Sequence, residues 1–179
     1  MGCPHAANAV ARPSGCLPYA CGVHLQRVHQ TRSVACAVKG QLEPEGIIHV
    51  AERVRVRQQF SGSIPGMVSG WGVNRHLGLM VLTGERLFAL LPSMPRLKGP
   101  AIDARWDAEQ HGPATVAISE AGVRLDVNVK RVDPRFHGEL ALYFKTPLTD
   151  DVLAALPARS LAFDVTPEYV FHMLGVRVK

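Results

Sequence analysis

GLMVLTGERLFAL, residues Gly78 to Leu90, sets two apolar runs on either side of four residues, Thr83 to Arg86, that are polar or glycine. Runs this short and this apolar, reversed over so few residues, predict a β-hairpin. Its strands would be Leu77–Leu82 and Arg86–Leu91, with Gly84 at the first central position, where a positive φ suits glycine alone. Pro92 and Pro95 end the second strand, since proline cannot continue a ladder.

Working outward, the segment GIIHVAERVRVRQQF alternates for most of its length, Val50, Val54 and Val56 against Arg53, Arg55 and Arg57, and predicts a strand over Ile47–Phe60. SGSIPGMVSGWGVNRH, between that strand and the hairpin, reads as a glycine-rich loop. Downstream, Ala101–Trp106 is a short alternating strand. Ala114–Ser119 and Val123–Val132 flank a tight turn in which Gly122 can take a left-handed position. Gly138–Lys145 alternates again, with Leu140, Leu142 and Phe144 inward. Seven candidate strands at short spacing are the signature of a small sandwich or barrel.

The period then becomes helical. Thr149 is placed to cap a helix whose first turn carries Asp150 and Asp151, where the helix dipole favours negative charge. Val152, Leu153 and Leu156 form its stripe and Pro157 stops it. SLAFDV is a further strand. In TPEYVFHMLG, Thr166 caps, Pro167 opens and Gly175 ends a last helix.

The chain has 179 residues, 47% of them hydrophobic, enough for one domain with a proper core. Aromatic residues are only 6%, which argues against a surface built to stack bases or sugars. No apolar run approaches the roughly 20 residues of a spanning helix. The net charge of +5 is concentrated at the start: residues 1–40 hold Arg12, Arg27, Arg32 and Lys39 and no acid, leaving the remainder almost neutral. That weakens a general electrostatic case for nucleic acid.

Cys3, Cys16, Cys21 and Cys36 all lie in this first segment, outside the strand-rich part, so no disulfide framework is expected and a reducing, cytoplasmic setting suits the chain. Cys16, Cys21, His24 and His29 offer zinc-type donors, but their spacing leaves no room for the element that ordinarily separates ligand pairs. Residues 1–40 are expected to be a disordered tail or a stretch upstream of the true start, and residues 41–179 a single domain.

The strand order, the hairpin Leu82-Thr83-Gly84-Glu85-Arg86-Leu87, the strand Ile102–Trp106 ending in tryptophan, and the closing helix Thr149–Leu156 resemble the bacterial pleckstrin-homology-like (PH-like) and GRAM-type families. The resemblance runs from about Glu45 to Pro157. It implies a mainly β fold: a seven-stranded, partly open antiparallel barrel capped by a helix. The extra strand and helix after Pro157 depart from that pattern and leave the identity of the capping helix open. It also implies a binding or scaffolding module, with phospholipid head groups, peptides or its own copies as ligand classes.

Chemistry is sparse. Strand alternation puts Arg53, Arg55 and Arg57 on one face, and guanidinium suits phosphate; PH-like domains use basic residues on the first strands beside their first loop. Trp71, in the glycine-rich segment with Met67, could dip into a bilayer interface. These four are the candidate anion- or lipid-binding residues. The competing explanation is a solvated face paired with carboxylates across the sheet. Asp103, Asp107, Glu109 and His111 read as an exposed loop and not a metal or acid–base site. His49, His76, His137 and His172 share no spacing, and no serine or cysteine sits in a nucleophile elbow.

The expectation is therefore a non-enzymatic binding module without cofactor or metal, cytoplasmic or at the inner face of the membrane. Its partners would be anionic lipid head groups, a protein, or a second copy. A nucleic-acid-binding module using the basic tail and Arg stripe, or a carrier of a small apolar ligand inside the barrel, are the alternatives.

Overall fold

A computed structural model describes residues 26–94, 96–97 and 99–177, with only the helical course given for residues 26–33. Eight strands form one antiparallel sheet: β1 (Ile47–Ile64), β2 (Met67–Thr83), β3 (Arg86–Leu90), β4 (Ile102–Arg105), β5 (Ala114–Ser119), β6 (Gly122–Asn128), β7 (His137–Lys145) and β8 (Ser160–Phe163). Their spatial order is β4-β3-β2-β1-β7-β6-β5-β8, two meanders joined through β1, and the end strands β4 and β8 approach each other so that the sheet almost closes into a barrel. The expected count of seven rises to eight because Ser160–Phe163 joins the ladder beside β5. The helices are α1 (Gln26–Leu42), α2 (Val129–Val132), α3 (Asp150–Ala155) and α4 (Pro167–Met173).

The interior is filled with buried aliphatic and aromatic side chains, among them Val56, Met80, Leu82, Leu87, Leu125, Leu140, Leu142 and Phe144. Helix α4 drives Val170 and Met173 into this core, and its Phe171 meets Phe136 edge-on at 5.2 Å between ring centroids. The Tyr169 hydroxyl donates to the Ala101 carbonyl at 2.7 Å, and burial pushes that phenol above its ordinary range. Helix α3 contributes Leu153 and Leu156. Thr149 stands at its N-cap, but the side chain makes no capping bond, whereas Thr166 accepts from Tyr169 N–H at 3.3 Å.

The opening hairpin forms as expected, and its turn does not. Gly84 is absent from the positive-φ residues. The reversal is closed by Thr83, whose Oγ1 accepts from the N–H groups of Glu85 (3.2 Å) and Arg86 (2.9 Å). Gly84 sits at a close approach: its N–H donates to the Gly46 carbonyl at 2.9 Å, and a Cβ there would make a tight contact, 3.2 Å, with the Glu45 carbonyl oxygen. Trp106 Nε1 latches the turn by donating to the Thr83 carbonyl at 2.9 Å. Glu45 and Asp103 hold the Arg86 guanidinium, raising its pKa chiefly through the hydrogen bond to Glu45.

The segment expected as a glycine-rich loop is a strand pair. β1 runs on to Ile64, a turn at Pro65–Gly66 follows, and β2 begins at Met67. Gly62 marks a close approach: it pairs with Gly138 of β7, both at positive φ, and a Cβ on Gly62 would fall 1.9 Å from the His137 carbonyl oxygen. Val129–Val132, expected to continue β6, turns into α2 because Asn128 caps it, its side chain accepting from Arg131 N–H at 3.3 Å.

Helix α1 crosses the expected boundary at residue 40. Its Ala35, Val38 and Leu42 are buried against Leu79 and Val81 on the outer face of the sheet, with Val50, Phe88 and Leu90 around them, and Lys39 pairs with Glu52. Cys36 lies exposed on this helix as a free thiol. Residues 1–25, the rest of the expected tail, lie outside the described residues, as do the side chains of the zinc-type donors Cys16, Cys21, His24 and His29.

Candidate functional site

The phase of β1 is set by a bulge. Ala51 pairs with Met80 and Val54 with Gly78, so Glu52 and Arg53 together oppose Leu79 alone. Arg53 takes the extra position with φ of 57°, a left-handed conformation that non-glycine residues rarely adopt. The added residue reverses which side chains point inward. Val50, before it, lies on the outer face beneath α1, while Val54 and Val56, after it, enter the core. Without the bulge, Arg55 and Arg57 would point into the barrel; with it they project from the outer face. Val50 therefore does not share a face with Val54 and Val56. Arg53, though exposed, sits in the bulge and outside the alternating run of Arg55 and Arg57.

Register builds the rest of the face. On the outer side, Arg57 stands directly opposite Arg75 of β2 and Tyr143 of β7, and Arg55 opposite Leu77 and Lys145. Arg124 of β6 is the next neighbour across Tyr143, its guanidinium 5.0 Å from that ring's centroid. Like charges in opposed positions of a sheet are unfavourable. Among the described residues, Arg55, Arg57, Arg75 and Lys145 form no salt bridge, while Arg124 is held by Asp126. Among the described residues, Glu139 stands opposite Ser61, two rows from Arg57, and Glu52, just before Arg53, is paired with Lys39.

An apolar border accompanies the cations. Val68 is 84% exposed and Trp71 72%, with Val73 and Leu77 also exposed, all on the lower half of β2. Sequence reasoning found Arg55, Arg57 and Trp71, and missed Arg75, Lys145, Val68, Val73 and Leu77. The signal for Arg75 was present: Val73 and Arg75, in the segment read as a loop, alternate in step with Leu77, read as the start of the next strand. Ala35, Val38 and Leu42 of α1 cover the same outer face at Leu79 and Val81, and the exposed β2 residues lie further along the strand.

Other clusters are accounted for locally. Asp103 pairs with Arg86, Asp107 with Arg105, and His111 lies 3.1 Å from Asp164. Among the described residues, no group of three or more His, Cys, Asp and Glu side chains is arranged to hold a metal. Gln58, almost fully buried, donates through Nε2 to the Met173 carbonyl at 2.8 Å. Its Oε1 therefore accepts from His76 Nε2–H at 2.9 Å, leaving His76 Nδ1 to face Ser93 Oγ at 3.5 Å. This chain ties β1, β2 and α4 together, and burial lowers the pKa of His76. An open concavity of about 290 Å³ between β5, β6 and β7 is lined by polar groups including Arg124 and Asp126, already paired with each other. No described helix is long and apolar enough to cross a membrane.

No protein-family model, no curated protein and no solved structure matches this chain.

Proposed function

We propose that the protein is a non-catalytic binding module of PH-like type that docks on anionic lipid surfaces through the outer face of β2, β1 and β7. The observation that carries this reading is the juxtaposition of Arg55, Arg57, Arg75 and Lys145 in opposed register positions, without carboxylate partners among the described residues, bordered by exposed Trp71, Val68, Val73 and Leu77. A folding requirement does not explain that arrangement, because like-charge neighbours and an exposed indole both work against the isolated domain. A negatively charged interface relieves both. Each cation near an anionic surface contributes about 1 kcal/mol, and indole favours the head-group level. Two meanders sharing β1, with the Leu82–Leu87 hairpin latched by Trp106, support the PH-like assignment. The filled interior favours a surface ligand over one carried inside the barrel.

Co-sedimentation with vesicles tests this. Wild-type protein is expected to pellet with phosphatidylserine-containing vesicles and to stay in solution with phosphatidylcholine alone. Arg55→Glu with Arg57→Glu should abolish pelleting, and Trp71→Ala should weaken it by about tenfold. Equal pelleting of all three proteins would defeat the proposal.

A further inference from the structure

Among the described residues, the lower half of β2 has a neighbour on one side only. Residues Met67 to Leu77 pair with β1, but β3 reaches only Leu79 to Leu82, so from Met67 to Leu77 the other edge of the strand is open. Among the described residues no backbone group meets that edge; one side chain does, Ser93 Oγ reaching the Leu77 carbonyl at 3.4 Å. Native sheets ordinarily blunt an edge of this length with lysines, prolines or a cover. Here the blunting is slight. One bulge at Gly70–Trp71 interrupts the run, and Arg75 is its single charged side chain.

From these features we infer that the β2 edge receives an extended segment of another protein as an added strand, and that the segment carries a carboxylate flanked by apolar residues on one face. Only a strand can satisfy a row of edge N–H and C=O groups, and directly opposed residues in a sheet share a face. The outer-face positions of β2 beyond the bulge are Val73, Arg75 and Leu77, with Trp71 beside them. An incoming strand therefore needs an apolar residue, an acid and an apolar residue at alternate positions. Arg57, opposite Arg75, and Arg55, one row further, reinforce the acid requirement.

Charge also decides against a second copy of this chain as occupant. Two-fold pairing would join one basic face to another, and a stable dimer must bury at least roughly 1,200 Å². An extended peptide needs no such area, because its main-chain bonds supply the affinity. The inference shares Arg55, Arg57 and Arg75 with the lipid-docking face and differs in engaging the main-chain edge of β2, which lipid docking leaves unused.

The test uses a fluorescently labelled decapeptide with threonine on one face and valine, glutamate and valine on the other, titrated against the full chain by anisotropy. Two further peptides carry N-methyl groups on alternate amides, one set each, and a fourth has lysine for glutamate. Saturable binding of the parent is expected. One methylated peptide should lose about tenfold in affinity and the other should keep it, because only one set of amides faces the edge. The lysine peptide should also lose about tenfold, and Arg75→Glu should restore it while weakening the parent. The peptide changes leave the protein itself untouched. Equal binding by both methylated peptides would show charge attraction without strand pairing and overturn the inference. So would no parent binding at its solubility limit, displacement of the parent by anionic vesicles with no difference between the methylated pair, or elution of the protein as a dimer that Val73→Lys converts to monomer.

Discussion

Replacing Thr83 by valine keeps the shape of the side chain and removes only its hydroxyl. In the folded protein that residue is fully buried. Its Oγ1 accepts from Arg86 N–H at 2.9 Å and from Glu85 N–H at 3.2 Å, and lies 3.0 Å from Glu45 Oε2, to which it can donate. Thr83→Val leaves the Arg86 amide without its partner and Glu45 with one bond fewer. A buried group left unpaired costs about 1–3 kcal/mol, so a total near 3 kcal/mol is expected. At roughly 2–4 °C per kcal/mol for a chain of this size, the melting temperature should fall by about 6–12 °C. Thr83→Ser keeps the hydroxyl and gives up one buried methyl, about 1 kcal/mol. Urea unfolding reads both, through a lowered midpoint at unchanged slope. If valine proves as stable as serine at this position, apolar packing and not the hydroxyl closes the turn, and the account of the hairpin fails.

The two glycines where β1 meets β7 should tolerate nothing larger. A Cβ on Gly138 would lie 1.9 Å from the Ser61 carbonyl oxygen, so Gly138→Ala is expected to yield no soluble folded protein, whereas Gly40→Ala, in open space on α1, should raise stability by about 0.5–1 kcal/mol in thermal melts. Stability should also depend on pH through His76. Burial lowers its folded pKa below the ordinary 6.5, so between those two values the unfolded chain binds more protons. Stability should be full above about pH 6.5 and fall as the pH drops toward the folded pKa. Urea midpoints at pH 7.5 and 5.5 should differ less in His76→Gln than in the wild type. His49, half-buried and shifted in the same direction, retains part of the slope.

What the residues alone disclosed was strongest where periodicity and side-chain type agreed. The hairpin around Thr83, the alternation of β6 and β7, and the capped helix from Thr166 were all legible. The lower half of β2 was not, because Gly62, Gly66, Gly70 and Gly72 signal a loop, while their actual role at Gly62 is to let two backbones meet. Helix α1 was hidden because the stripe it buries among its described side chains is Ala35, Val38 and Leu42, with Gly40 among them. The β1 bulge was invisible for a different reason: Arg53 looks like one more member of an alternating run, and only the pairing with β2 shows that it resets the phase. The basic face follows the same logic. Arg57 and Arg75 become neighbours through register, a property of two strands together that neither carries alone.

Strand β1 pairs with β2 on one side and, from Arg55 to Ser63, with β7 on the other. The hairpins among β1 to β4 and among β5 to β7 bring together residues close in the chain, and short loops close fast. The β1–β7 seam joins the first strand to the seventh, so its closure entropy is lost before its contacts reward it. That places the slow step of folding at this seam, with the Gly62–Gly138 crossing on its critical path. During synthesis on a ribosome the first four strands emerge well before the partner that completes β1. Until then the flank of β1 that β7 will cover, Arg55 to Ser63, stays open, with Arg55 and Arg57 as the like charges that discourage edge-to-edge pairing along it.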